Sequence, residues 1–358
     1  VRRIVGIVLA VLLIGGVAAA VVAGRDSEET GTATKTVRMV IGSEKAAFFA
    51  DPDVVEALAA QGYTVEAETS GSWAMEGLDL YGYDLAFPSS RAPAAELAQK
   101  HGVRGILPRP FYSPLVVVSR RGAAEVLAAN GLATPVGRTP GTLKMDAYLD
   151  AARRERTWQQ LKGSERYGEL TGTLFISSTD PQTSNSGALY LAAASYVANG
   201  GKVVASDAEV ERTAPLMRTL VSVQGAQQSS TDAAFRDFVS GAGNPLVLVY
   251  ESQVAALLDE QQNADDLVVL YPDTTVNSDH TVVPLTDDGR KLAELLGSDP
   301  TLRKLAVRHG FRPQGAITEF TAATVGRTAY LKQQLTGVRQ APVPTSAVLR
   351  ELARRARG

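Results

Sequence analysis

Short apolar runs alternate with helix-patterned stretches along most of the chain, and this alternation limits the fold more than any other feature. "TVRMVIG", beginning at Thr36, reads as a strand. "DPDVVEALAAQG" reads as a helix opened by Asp51, with Pro52 in its first turn. "YTVEAET" and "YDLAFP" read as strands, and "GILPRPFYSPLVVVS" holds a long extended apolar segment. In the middle of the chain "GTLFISS" reads as a strand, Ser186 to Ala198 as a helix and "KVVAS" as a short extended piece. "AEVERTAPLMRTLVSVQG", "DAAFRDFVSG" and "ESQVAALLDEQ" read as helices, with "PLVLVYES" and "DLVVLYP" as strands. "DGRKLAELLG" and "TLRKLAVRHGFRP" read as amphipathic helices. The pattern predicts an α/β architecture with largely parallel sheets. A chain of 358 residues suits about two domains.

The start of the chain bears on location. Arg2 and Arg3 precede an uncharged run from Ile4 to Gly24, long enough to cross a bilayer as a helix. The arginines favour a cytoplasmic N-terminus and an external body. The run is either a retained anchor, which its length favours, or a signal peptide cut near Ala18 to Ala23. Gly24 to Lys35 is small and polar, a linker between that segment and the fold. There is no cysteine, which removes disulfides, thiolate metal sites, a cysteine nucleophile and a lipoprotein anchor. The formal net charge of −2 gives no overall basic field for nucleic acid. The basic end "RELARRARG" reads as a solvated helix end.

Catalytic signatures are missing. The chain has no phosphate loop of the G-x-x-x-x-G-K-[ST] form, and "GAGNPL" fails as G-x-G-x-x-G at its sixth position. Neither G-x-S-x-G nor S-x-x-K occurs. His101, His280 and His309 do not share metal-ligand spacing. Carboxylate pairs leave no fixed spacing, so glycosidase chemistry stays open at this stage. The reading is a protein that binds rather than an enzyme, with no cofactor or metal.

Several strands instead end in small polar loops. "IGSEK" presents Ser43 and Glu44; "TSGSW" presents Ser70, Gly71 and Ser72; "FPSSR" presents Ser89 and Ser90. "SSTDPQTSNSG" runs into the uncharged helix "ALYLAAASYVA", and "VYESQ" brings Tyr250 and Glu251. Ligands of open α/β sheets sit beyond the carboxyl ends of strands. Helix-start N–H groups and hydroxyls there grip an oxyanion without a counter-charge. Each loop alone could equally be a helix cap. Five at comparable positions favour a shared cleft.

Read together, these segments resemble a type II periplasmic solute-binding protein, the receptor component of ABC importers, over roughly residues 36–320. "TVRMVIGSEK" resembles that family's opening strand and ligand loop, and "TSGSW" its second loop. "YDLAFPSS" resembles a strand of the cleft wall, and "FYSPLVVVSRRG" the crossover into lobe two. "STDPQTSNSGALYLAA" resembles the second-lobe ligand loop; "PLVLVYESQ" and "LVVLYPDTTVNSDHTVVPL" resemble the return to lobe one. "LRKLAVRHGFRP" is similar to the late helix and turn of molybdate- and sulfate-type members and their actinobacterial, membrane-anchored relatives.

The resemblance implies two hinged α/β lobes. Lobe one would comprise residues 36–116 and 277–320, and lobe two residues 117–276. The membrane or signal segment (1–24), the linker (25–35) and C-terminal helices with a basic tail (321–358) complete the chain. Carried over position by position, Ser43, Ser70, Ser72 and Ser89 would face the solute from lobe one. Ser184, Asn185, Ser186 and Tyr250 would face it from lobe two. Glu251 stays open: beside an oxyanion it either pairs elsewhere or the solute is not an anion. The implied partners are a small polar solute and an ABC permease, with the membrane met through the N-terminal helix. Trp73 reads as packing more than as a sugar-stacking ring. The chain departs from the family in lacking a lipid-attachment cysteine, and in a charged insertion at 138–170 that would cap lobe two. A second hypothesis is a membrane-tethered envelope protein that uses the fold for partner recognition, with a degenerate cleft. A third is an envelope hydrolase that depends on Glu251.

Overall fold

The computed structural model describes residues 34–259, 266–315 and 317–358. Two sheets organise them. In the first, Lys35–Ile41 lies between Tyr63–Thr69 and Leu85–Phe87, and Val283–Pro284 closes the far edge. Lys35–Ile41 and Leu85–Phe87 run parallel, Met39 opposite Leu85 and Ile41 opposite Phe87, whereas Val283–Pro284 is antiparallel. Helices cover this sheet, so its inner strands are apolar runs rather than alternating ones. Helix Pro52–Ala60 begins as its residues predict: Asp51 accepts from the Asp53 N–H and proline occupies the first turn. Helices Asp287–Ser298 and Pro300–Arg308 are capped in the same way by Thr286 and Asp299. Their Leu292, Leu296 and Leu302 share one core with Val37, Met39, Phe48 and Phe87.

The spine of the second sheet is Phe111–Arg120, buried except at Tyr112 and Arg120. Its first half pairs antiparallel with Asn277–His280 and Arg312–Pro313, its second half with Leu246–Tyr250 and Leu267–Pro272. One strand therefore links the surroundings of both sheets. Helix Asn185–Ala198 is buried at every position from Asn185 to Ser195, as expected of a helix with no charged face.

Four expectations change. The sheets are not largely parallel: in the second, Phe111–Arg120 runs antiparallel to all four of its partners, because the chain returns beside this one long strand instead of crossing over to it. "GTLFISS" is no strand: it makes only two isolated bridges, Thr173 to Thr157 and Ser177 to Val247. The Leu174 N–H donates instead to the Arg156 carbonyl and the Ile176 N–H to the Tyr148 hydroxyl, which removes the ladder. "KVVAS" is a loop, because Glu209 takes the Ala205 N–H and the Ser206 hydroxyl ahead of helix Asp207–Ser222. The basic end is not simply solvated. Helix Ser346–Arg357 buries Leu349, Leu352, Ala353 and Ala356 in the core that also holds helix Asn185–Ala198.

The 138–170 insertion supplies strand Gly141–Leu143, parallel to Leu267–Pro272, and helix Met145–Arg153. In that helix the Tyr148 hydroxyl meets the Tyr190 hydroxyl at 3.0 Å. Among the described residues no helix is long and apolar enough to cross a membrane. The expected span, Ile4 to Gly24, lies outside the described residues, as does most of the linker.

Candidate functional site

The ends of the strands converge on one small cavity. From the first sheet come Gly42, Ser43 and Glu44 after Lys35–Ile41, Ser70 to Ser72 after Tyr63–Thr69, and Ser89 after Leu85–Phe87. From the other side come Ser184, Asn185 and Ser186 at the head of the buried helix, Ser229 to Thr231 at the head of helix Thr231–Ser240, and Tyr250 at the end of its strand. All eight candidate residues line this cavity: Ser43, Ser70, Ser72, Ser89, Ser184, Asn185, Ser186 and Tyr250. Its volume is about 10 Å³, room for about one water. The two sides are closed on each other.

The closing contacts are polar. Ser90 donates its hydroxyl to Asn185 Oδ1 at 2.5 Å. The Asn185 amide nitrogen donates to Tyr250 at 3.1 Å and to Ser278 at 3.2 Å, and Ser278 in turn donates to the Ser89 carbonyl. The Trp73 and Ala74 N–H groups donate to the Thr183 carbonyl at 3.1 and 3.3 Å. One glycine makes this approach possible, and a second lets the loop before the buried helix pack onto that helix. A Cβ on Gly71 would stand 2.5 Å from the Thr183 oxygen, and one on Gly187 would stand 2.9 Å from the Pro181 Cα.

Helix starts beside the site lack side-chain caps, as does the one at Ser206 away from it. Ser90, Ser184 and Ser230 occupy N-cap positions, yet none of them caps its helix with its side chain. Elsewhere Asp51, Thr286, Asp299 and Thr345 do cap theirs. Around the cavity, then, three helix starts have first-turn N–H groups with no side-chain acceptor, at the positive end of the helix dipole.

Beneath the hydroxyls lies a buried charged cluster. Glu44 Oε1 pairs with the Lys45 ammonium, accepts from Ser89 Oγ at 2.6 Å and lies 3.3 Å from His280 Nδ1. Lys45 Nζ also reaches Ser89 Oγ at 3.2 Å and His280 Nδ1 at 3.1 Å. Burial pushes the Glu44 carboxyl up, but the Lys45 charge and the hydrogen bond from His280 outweigh it and hold the group well below the carboxylate range. Burial and the Lys45 charge lower His280 to about 4, so its ring is neutral. Burial, with the Glu44 charge, raises Tyr250, which stays a neutral phenol.

Glu251 does not face the cavity. Arg312 grips it at 2.6 and 2.8 Å, and the Tyr271 hydroxyl donates to it as well. The carboxylate beside the cleft is Glu44. Trp73 is packed in the core with the Arg350 guanidinium 4.9 Å from its ring centroid, and it does not line the hydroxyl cavity. Ser229, Ser230 and Thr231 escaped the sequence reading because they follow a helix and not a strand. Their signal was the cap-like "SSTD" ahead of "AAFRDFVS". Among the described residues no group of three or more His, Cys, Asp or Glu could hold a metal ion.

No protein-family model matches the chain. No curated protein matches it either. Solved structures do. The sulfate-binding protein of Mycobacterium tuberculosis H37Rv is 16% identical, with a TM-score of 0.53 over 88% of this chain and 96% of that one. A periplasmic binding protein of Actinobacillus pleuropneumoniae, bound to fructose-6-phosphate, is 11% identical, with a TM-score of 0.57 over 90% and 97%. An ABC transporter solute-binding protein of Thermotoga lettingae, bound to α-D-tagatose, is 14% identical, with a TM-score of 0.56 over 90% and 94%. At such identities the likeness speaks for the fold alone: the chain has the fold of the type II periplasmic solute-binding proteins.

Proposed function

We propose that this protein is an extracytoplasmic solute-binding protein. It captures a small polar solute with an anionic group between two α/β halves, for uptake through an ABC permease or for sensing. The N-terminal segment would hold the body at the outer face of the membrane or be removed on export. One observation carries the reading. Three helix starts with serine N-caps converge on one cavity, and none of the three serines caps its own helix. Backbone N–H groups and hydroxyls in that arrangement suit an anion, and the negative charge of Glu44 is balanced by Lys45. The fold neighbours support the class of function, since those proteins bind sulfate, a sugar phosphate and a sugar.

A second reading has its own support. The cavity is small and its hydroxyls already bond across it, as in the pair Ser90 and Asn185. In that reading the halves stay closed on a degenerate cleft, and the tethered protein recognises a partner in the cell envelope. Thermal unfolding against sulfate, molybdate, phosphate, amino acids and sugars separates the two. A ligand at about 100 times its Kd adds roughly 2.7 kcal/mol. A shift that disappears in Ser186→Ala supports solute capture, whereas a flat panel with a well-folded protein favours the tethered partner-binding role.

A further inference from the structure

We propose that the solute is an organic zwitterion with an apolar arm, an α-amino acid of the leucine or phenylalanine kind, and not a bare inorganic oxyanion. This rests on the solute-binding reading and narrows it. The hydroxyl cavity is too small for an organic molecule, but it does not end there. Ser43 and Glu44 also line a groove of about 450 Å³ that opens beside it. One wall of the groove is Ala46 and Ala47, and the other is Phe235, Val239, Ala256 and Leu257. The walls come from helices that follow the cavity loops directly, Ala46–Ala50 on one side and Thr231–Ser240 with Glu251–Asp259 on the other. An apolar arm of several carbons fits such a space and is driven there by the removal of its apolar surface from water.

The junction of cavity and groove carries the second part of the chemistry. Glu44 and Asp232 both line the groove. Asp232 accepts from Gln253 Nε2 at 2.5 Å. Burial raises its carboxyl and the Glu44 charge raises it further, against the opposing pull of Gln253 and Arg236. Arg236 also lines the groove but is an exposed residue. Glu44 is already paired with Lys45, so a protonated amine at the junction would be held by Asp232. The three features have an order along the site: helix starts and hydroxyls for a carboxylate, Asp232 for an ammonium, and an apolar groove for a side chain. Sulfate or molybdate would use only the first.

Calorimetric titration of the full chain tests this with L-leucine and L-phenylalanine, 4-methylpentanoate (no amine), isoamylamine (no acid) and inorganic sulfate. The amino acids should bind at least 10-fold tighter than either truncated analogue or sulfate. Ala47→Trp, at an exposed position on the groove wall, should weaken the amino acids at least 10-fold. Asp232→Asn should reduce the preference for L-leucine over 4-methylpentanoate to less than about threefold. If sulfate or a sugar binds while the amino acids do not, the inference fails and the solute-binding reading stands. If amino acids bind but neither variant alters their affinity, the groove assignment fails. If nothing in this set or in the wider thermal panel binds to folded protein, both fall.

Discussion

Ser90 and Asn185 stand at the starts of two different helices, and the serine hydroxyl donates to the asparagine Oδ1 at 2.5 Å. The contact brings two positive helix ends face to face, with an uncharged amide between them. A carboxylate placed there would stand in for a bound anion. Asn185→Asp should therefore fold, since each helix start favours a negative charge by about 0.3–1 kcal/mol. Its thermal midpoint should equal or exceed that of the unaltered protein, while affinity for an anionic solute falls at least 10-fold. Titration of both proteins checks this. Unchanged affinity would mean that the anion does not sit at these helix ends.

The cluster under the cavity makes stability depend on pH. His280 titrates at about 4 in the folded protein, against an ordinary value of 6.5. As pH falls, the unfolded chain takes up this proton first. The contribution is therefore complete above about pH 6.5 and is lost as pH falls towards 4. A gap of that size corresponds to about 3 kcal/mol at most. Glu44, held low by Lys45 and His280, adds a loss at still lower pH. Thermal midpoints from pH 7.5 to 4.5 should decline, and His280→Gln should flatten that decline above pH 5. An equally steep decline in the variant would place the titrating group elsewhere.

Glu251 and Arg312 form a buried ion pair, with side chains 0% and 1% exposed. The pair anchors the segment after the last helix of the first core, because Arg312 also donates to the Lys332 and Gln333 carbonyls. Glu251→Gln leaves the guanidinium buried without its counter-charge, which costs about 3–5 kcal/mol. Denaturant unfolding should show that loss. Solute affinity, measured where the variant is folded, should stay within about threefold, because this carboxylate does not line the cavity. A large loss of affinity without loss of stability would restore Glu251 to the site.

The hydroxyls of the cavity were legible because the physics that places them is local. A strand ends, a helix begins, and a small polar residue occupies the turn, as at Ser72 and Ser89. The cluster beneath them was not legible. Lys45 and His280 are 235 residues apart, and nothing near either one announces the other. Ser278 bonds to Asn185 from within strand Asn277–His280, so a search of strand ends passes over it. "GTLFISS" has a strand composition, but its N–H partners come from Tyr148 and Arg156, and no local pattern predicts that. The last helix was misread for the opposite reason. Its arginines drew the reading towards solvent, although Leu349, Leu352, Ala353 and Ala356 fall on one helical face.

That last helix yields a direct comparison of charge against packing. Leu352 is fully buried, and the helix packs on Asn185–Ala198 and Asp207–Ser222. Arg355 pairs with Glu211 at the surface, with more than a third of each side chain exposed. Deleting most of a buried leucine removes transfer energy and leaves a cavity, so Leu352→Ala should cost about 2–5 kcal/mol. Arg355→Ala loses two screened pairs, to Glu211 and to Glu351, and should cost about 1 kcal/mol or less. Denaturant midpoints of the two variants check the ranking. If Leu352→Ala proved as mild as Arg355→Ala, the helix would be a solvated tail after all, and the head of helix Asn185–Ala198 would owe its position to the sheet alone.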